Sequence, residues 1–341
     1  MVQCFLAIDG FKRRGYMTIG VQCKYQFNNK TICREPADVN SDYCFWHNPS
    51  ADKSPVDIKN RLEEKHKKGD CLEGYQLENA SLENIHLMQA DLRAVNFKRA
   101  NLRNAHLFQS NLSNACLFKA DIDKANLKSA NLDNTDLLGA VFGNADLHDV
   151  HWGEDQKVKN EREGDDYFKR GDRDKAREKY FEAEEVYRSL KNNFKNRGFS
   201  YEAGKYYYRE MVVKRKQMTS FSPEYVWSAL MDMSTGYGEK PYKIISFSMV
   251  FVLIFSVIFG FIGIQHSSGR YYRLSAEQSL LENLAVLYDS FYYSMVNFVT
   301  LGYGDYTPIG IGKMLAVFEA LSGELMIALF IITVYKRYME R

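Results

Sequence analysis

The chain has 341 residues, enough for two or more domains at roughly 150 residues each. Forty-five basic residues against 43 acidic ones leave a formal charge of +2, so a dominant nucleic-acid surface is not indicated and no nucleic-acid partner is expected. That balance hides a division: the sequence before about Lys243 reads as soluble, and the last hundred residues carry nearly all the continuous apolar sequence.

Residues 1–68 hold four of the six cysteines and no long periodic helix. The opening MVQCFLAIDGFKRRG has a short apolar run followed, not preceded, by basic residues, so it does not read as a secretory signal. In CKYQFNNKTICREPADVNSDYCFWH, the residues Cys23, Cys33, Cys44 and His47 form a Cys3His set suited to a closed, structural zinc site. Gaps of nine and ten residues are looser than those of zinc fingers, so three unrelated thiols and a surface histidine are the alternative. A reducing compartment disfavours disulfides and favours the metal.

Residues 70–152 repeat every five. From Ala80 the sequence runs ASLEN, IHLMQ, ADLRA, VNFKR, ANLRN, AHLFQ, SNLSN, ACLFK, ADIDK, ANLKS, ANLDN, TDLLG, AVFGN, ADLHD. The third place is always Leu, Ile or Phe, and the first is usually Ala; fifteen units fit from Tyr75 to Asp149. The pattern resembles the pentapeptide-repeat family, which implies a right-handed quadrilateral β-helix. In such a solenoid each unit makes one side and four units make a coil. The central apolar residue and the small first residue face inward and stack on the coil below, so each coil buries its core only against its neighbours. Just under four coils give a tower of ~18 Å at the strand spacing. Eleven acidic against seven basic residues, a net of −4 from Asp70 to Trp152, is too mild for a DNA mimic.

Residues 159–218 read as helical. Gly171, Ala176 and Tyr180 share their spacing with Gly198, Ala203 and Tyr207. Apolar residues at 176, 180, 183, 187 and 190 alternate steps of four and three, which is a packing face. The pair looks like degenerate tetratricopeptide-type hairpins, although the 27-residue offset is shorter than that family's 34. A further helix over Pro223–Asp232 starts at a Ser N-cap with Pro in its first position. It precedes the first apolar run, and Trp227 on it is a candidate for passing motion onward.

Ile244–Ile264 is 21 residues without a charge, about 31 Å as a helix, which matches a bilayer core. Ile311–Tyr335 is a second run of similar length containing Lys313, Glu319 and Glu324. Lys240 and Lys243 precede the first run and Lys336, Arg337 and Arg341 follow the second, which mildly favours both termini in the cytoplasm.

Two strings contain Thr followed by a Gly-Tyr-Gly: STGYGEKP at Ser234–Pro241 and NFVTLGYGDYTP at Asn297–Pro308. The first precedes both apolar runs; Gly236 reads as a helix stop and Pro241 as the start of the span. The second lies between the runs, after LENLAVLYDSFYYSMVNFV, a candidate re-entrant helix of about four turns. Irregular backbone at membrane depth survives only where protein buries it or it lines a water path.

With TLGYGD, the outer YTP, the aromatic-rich YDSFYYSMVNFVT and Gly323, the segment from about Pro241 to Arg341 resembles the two-transmembrane potassium channel family. The resemblance implies a homotetramer in a lipid bilayer, with K⁺ as the permeant ion. It also implies a selectivity filter of Thr300, Leu301, Gly302, Tyr303, Gly304 and Asp305. Gly323 stands where TM2 bends in the family, though a small residue for close packing explains it equally. Val296 replaces a glutamate that in some members braces the filter's aspartate, which leaves Tyr293 as the candidate support for Asp305. Glu319 and Glu324, five residues apart, lie about 140° from each other on a helix and cannot both face a pore. Glu324 falls where the family lines its cavity, with Ala328 and Ile331 further along, and Glu319 points back toward the pore helix as filter support.

The expected whole is a multidomain membrane protein with a metal-binding segment at 1–68, the β-helix at 70–152 and an α-helical hairpin linker at 153–220. A pre-membrane helix at 221–243 leads into an all-α two-transmembrane pore domain. That domain has TM1 at 244–264, a re-entrant pore helix and filter at 284–305, and TM2 at 311–335. No triad, phosphate loop or open metal site points to an enzyme. The function implied is passive, K⁺-selective conduction in the cell membrane, with the soluble part regulating or assembling the pore through an unknown cytoplasmic ligand or protein partner. The alternatives are a membrane-anchored pentapeptide interaction module and a weakly selective cation channel.

Overall fold

The computed structural model describes residues 21–54, 57–219 and 222–339. They fall into two compact units that meet in sequence between Gln217 and Met218.

In the first unit, parallel bridges join each second-place residue to the residue twenty further on, from Gln76↔Asn96 to Asn131↔His151. A coil therefore takes twenty residues, four repeat units. Third-place side chains such as Leu82, Leu107 and Leu127 are wholly buried, as are first-place Ala100, Ala120 and Ala130. Where a hydroxyl replaces that alanine it finds a carbonyl: Ser110 Oγ donates to Leu107 at 2.8 Å and Thr135 Oγ1 to Leu112 at 2.8 Å. The fifth place turns the corner in the left-handed region, with φ between 53° and 60° at Asn84, Ala94, Asn104, Asn114 and Lys124. Asn tolerates that conformation better than most residues, which accounts for its recurrence there.

Both ends of the coil stack are covered, as a solenoid requires. At the start, Trp46 stacks on Tyr75 and its carbonyl accepts from Gln76 N at 2.7 Å. The helix α1 (Ile58–Lys67) buries Ile58 and Leu62, and its Glu63 accepts from His86 N at 2.9 Å. At the far end, Asn193 Nδ2 donates to the Gly143 carbonyl at 2.9 Å, and Arg197 donates to the Ala145 carbonyl at 2.7 Å. These two residues close α3 (Arg173–Asn196), which packs between α2 (Lys159–Lys169) and α4 (Ser200–Lys216). The linker is thus three helices making two hairpins that share α3, not two separate pairs. Gly171 and Gly198, both at φ +84°, supply the turns. Ala176, Tyr180, Ala183, Tyr187 and Leu190 are all buried along α3. Glu161, fully buried on α2, accepts from Tyr187 at 2.6 Å and pairs with Lys216 of α4 at 2.9 Å.

The second unit begins with α5 (Pro223–Thr235), which Ser222 caps by accepting from Tyr225 N at 3.1 Å. Gly236 ends it in the left-handed region, so the STGYGE string is a turn. Lys243 binds Asp232 at 2.6 Å, tying α5 to α6 (Pro241–Ile262). α6 and α8 (Gly312–Met339) are each long and apolar enough to cross a bilayer. Between them α7 (Leu280–Phe298) opens on a capping box: Ser279 Oγ accepts from Glu282 N, and Glu282 Oε2 from Ser279 N. It starts four residues before the expected 284. Three short strands, β1 (Ile264–His266), β2 (Tyr271–Tyr272) and β3 (Tyr306–Pro308), form an antiparallel sheet in the order β2-β1-β3. The sheet links the end of α6 to the residues after Asp305.

Candidate functional site

Thr300, Gly302 and Gly304 have φ of 56°, 58° and 77°, whereas Leu301, Tyr303 and Asp305 are outside the positive region. A backbone that alternates in handedness turns successive peptide groups the same way, N–H to one side and C=O to the other. Such a row of carbonyls can replace the water around a cation. A Cβ at Gly302 or Gly304 would meet nothing within 4 Å, so these glycines serve conformation and not space. The segment is held at both ends. Thr300 N donates to Asn297 O at 3.0 Å and Leu301 N to Val296 O at 3.0 Å; beyond it, Ser267 N donates to Asp305 O at 2.8 Å. Thr300 Oγ1 donates to the Val299 carbonyl at 2.8 Å.

Behind this segment Glu319 is fully buried. Its carboxyl contacts Ser294 Oγ and accepts from Asn297 Nδ2 at 2.7 Å. Ser294 and Asn297 are one turn apart on α7. Neither is singled out by the sequence: a one-turn spacing puts them on one face, but their partner lies on another helix. Glu324 is exposed, as are Ala328 and Ile331, so the two glutamates occupy different faces of α8. At Gly323 a Cβ would sit 1.9 Å from the Phe298 carbonyl oxygen. Close packing of α8 on the end of α7 therefore explains this glycine, and α8 runs unbroken through it.

Tyr293, expected beside Asp305, packs elsewhere within the chain. It is buried edge-on against Phe259 of α6, 4.9 Å between ring centres. The neighbouring Tyr292 is the tyrosine whose phenol feels the Asp305 carboxylate. One residue along a helix is a rotation of about 100°, which separates the two faces.

In the first unit Cys23, Cys33, Cys44 and His47, all buried, place their ligand atoms within 4.8 Å of one another. Cys33 and Cys44 sulfurs are 3.9 Å apart, and His47 Nδ1 is 3.2 Å from Cys44 and 3.7 Å from Cys23. Around one zinc with Zn–S of about 2.3 Å, tetrahedral edges are roughly 3.6–3.8 Å. The Glu73 carbonyl, 3.0 Å from His47 Nε2, can only accept, so Nε2 carries the hydrogen and Nδ1 faces the sulfurs as a lone pair. Tyr25 stacks on the ring at 3.9 Å. The hydrogen bond from Cys33 lowers Cys44, and the same bond, with burial, pushes Cys33 far up, so the pair shares its proton unequally. A soft cation would relieve that unequal sharing by taking every sulfur as thiolate.

Comparison with known proteins defines the class. The family model described as an ion channel matches residues 247–340, and pentapeptide repeats match at 71–109, 85–123 and 120–151. The chain thus joins an ion-channel domain near its C-terminal end to pentapeptide repeats in its N-terminal region. An ion-channel domain with two helices able to cross a bilayer is a membrane domain. Among individual relatives, Protein LctB of Bacillus caldotenax is 44% identical over 50 residues, 15% of this chain and 37% of that protein. Protein LctB of Geobacillus stearothermophilus is 46% identical over 48 residues, 14% and 36% respectively. The match spans little more than a third of these relatives. A pentapeptide repeat protein of the cyanobacterium Cyanothece 51142 is 30% identical with a TM-score of 0.24, covering 25% of this chain and 58% of that one. One from Nostoc Pcc 7120 is 31% identical with a TM-score of 0.17, covering 29% and 85%.

Proposed function

We propose that the protein is a homotetrameric, K⁺-selective channel of the cell membrane. Thr300–Asp305 forms its filter and α7 is its re-entrant pore helix. The observation that carries this is the alternating left-handed backbone at Thr300, Gly302 and Gly304, held between two helices that can each span a bilayer. One chain supplies a single row of carbonyls, whereas a dehydrated ion needs a cage, hence four chains. The apolar residues exposed on α8 away from Glu324, among them Leu325, Leu329 and Ile332, suit lipid or a neighbouring copy and not water. Glu324 from four chains would ring the cavity and concentrate cations, and conduction is passive, with no catalytic residue. The positive-inside pattern favours both termini in the cytoplasm, where the right-handed quadrilateral β-helix of the repeats and the helical hairpins would form an assembly or regulatory module.

Cys23, Cys33, Cys44 and His47 hold a structural zinc ion that fastens the residues before α1 to the first coil. All four ligands belong to the protein, so the ion has no open position and no catalytic part.

The test is ion flux from liposomes containing the purified protein, first under a K⁺ gradient and then under a Na⁺ gradient. K⁺ flux, little Na⁺ flux and none in Gly302→Asp is the expected result. Equal flux of both ions would replace selectivity with general cation conduction. Flux surviving in Gly302→Asp would remove the segment from the ion path.

A further inference from the structure

Glu319 has no basic partner among the described residues although its carboxyl is fully buried, and the hydrogens around it can be counted. Asn297 Nδ2 has two, one for Glu319 Oε2 at 2.7 Å and one for the Ala316 carbonyl at 2.9 Å. Ser294 has a single hydroxyl hydrogen and two neighbours: the Val252 carbonyl of α6 at 3.0 Å, which can only accept, and Glu319 Oε1. All contacts are satisfied together only when Ser294 donates to Val252 and Oε1 carries a proton that it donates to Ser294. The cluster then joins α6, α7 and α8 in one hydrogen-bonded chain. It acts on the filter directly, because the Asn297 carbonyl also accepts from Thr300 N at 3.0 Å.

We propose that Asn297 and Glu319 are positioning residues for the filter, and that their clamp is complete only with a proton on Glu319 Oε1. This rests on the conduction reading above. When the proton leaves to water, Ser294 turns its one hydrogen from Val252 to Oε1. A full negative charge is then buried with no cation beside it, a costly state that loosens the end of α7 from α8. The conducting geometry belongs to the protonated form and is lost as pH rises. The groups facing Glu319 leave the assignment to this one carboxyl. From α7 it meets Ser294 and Asn297 and lies near the phenol of Tyr293, and from α6 the Val252 carbonyl reaches it through Ser294. On α8 itself, Lys313 and Glu324 are exposed on other faces.

Two measurements on the full chain in liposomes test this. The first is K⁺ flux from mildly acidic to mildly alkaline pH. Wild-type flux should fall as pH rises. Glu319→Gln, whose amide can donate to Ser294 while its oxygen accepts from Asn297, should conduct with that dependence removed. Asn297→Ala and Glu319→Ala should lose flux at every pH. The second is infrared detection of a protonated carboxyl that is present in wild type, absent in Glu319→Gln, and titrates together with flux. An ionised Glu319 at neutral pH, or a pH profile unchanged in Glu319→Gln, would overturn the proposal. Absence of K⁺ flux in wild type under all conditions would instead defeat the conduction reading, and the carboxyl band alone would then decide where the proton sits.

Discussion

Lys124 occupies the fifth place of a repeat unit, exposed and at φ 58°. A β-branched residue is poorly tolerated there, so Lys124→Val should destabilise the first unit by about 1–2 kcal/mol, whereas Lys124→Asn should stabilise it slightly. The second place is extended and accepts valine, as Val141 already demonstrates. Denaturant unfolding of the two variants would check this; equal stability would remove backbone handedness as the reason for Asn at the corners. In the linker, burial pushes Asp165 up. Hydrogen bonds from Lys157 at 2.8 Å and Lys216 at 2.6 Å, with one from Tyr180, outweigh it and hold the carboxyl below its ordinary range. A depressed carboxylate contributes stability that is present at neutral pH and lost as pH falls through its folded value. Asp165→Asn should therefore flatten the acid limb of the stability profile, and an unchanged limb would mean the pairing contributes nothing net. What the sequence showed at this scale was residue type and spacing. Inward Leu and Ala were legible because a five-residue period makes burial periodic. The left-handed corner is equally written in the Asn that recurs at the fifth place, since few other residues adopt that backbone at low cost. Tyr292 and Tyr293 could not be separated, because one step turns a helical side chain to another face.

The contact of α8 with α7 turns on Gly323, where the two backbones come too close for any side chain. If the glycine were only a bending point, alanine would be a better helix former and would stabilise α8. With the Phe298 carbonyl where a Cβ would be, Gly323→Ala must instead push the two helices apart, a cost of about 1–3 kcal/mol for overpacking. Thermal unfolding in detergent should show a lowered midpoint, and flux should fall with it because Phe298 lies two residues before Thr300. A raised midpoint would restore the bending explanation. The glycine was visible in the sequence and its partner was not, since that partner is a main-chain atom 25 residues away. The same holds for Glu319: helical phase separates it from Glu324, but only the packing of three helices shows Ser294 and Asn297 waiting for it.

At the scale of the whole molecule, the buried apolar side chains of the described residues gather into two cores. One core runs from Cys23 through the stacked repeats to Val213, and a separate one gathers Phe255, Phe259, Ile264, Tyr293 and Ala316. The order of parts was legible from the sequence because each has its own period: five for the tower, the helical step for the linker, and long unbroken runs for the spans. The joining of the Cys3His cluster, coils and hairpins into one interior was not, because it depends on end-capping contacts such as Trp46 on Tyr75 and Asn193 on Gly143 that no period encodes. Units with separate cores unfold separately when little couples them. Calorimetry of the detergent-solubilised protein should accordingly show two transitions. Metal binding to the folded form alone stabilises only the core that contains the ligands, so a strong chelator should lower one transition and leave the other in place. Cys44→Ser should reproduce that shift without chelator and abolish any further response to it. Since the cluster seals the first coil, its loss exposes the tower's end, and the lowered transition should include the repeat strands as well as the residues before α1. A single transition that moves as a whole would show that the two cores unfold as one, and no shift on chelation would remove the metal from the first.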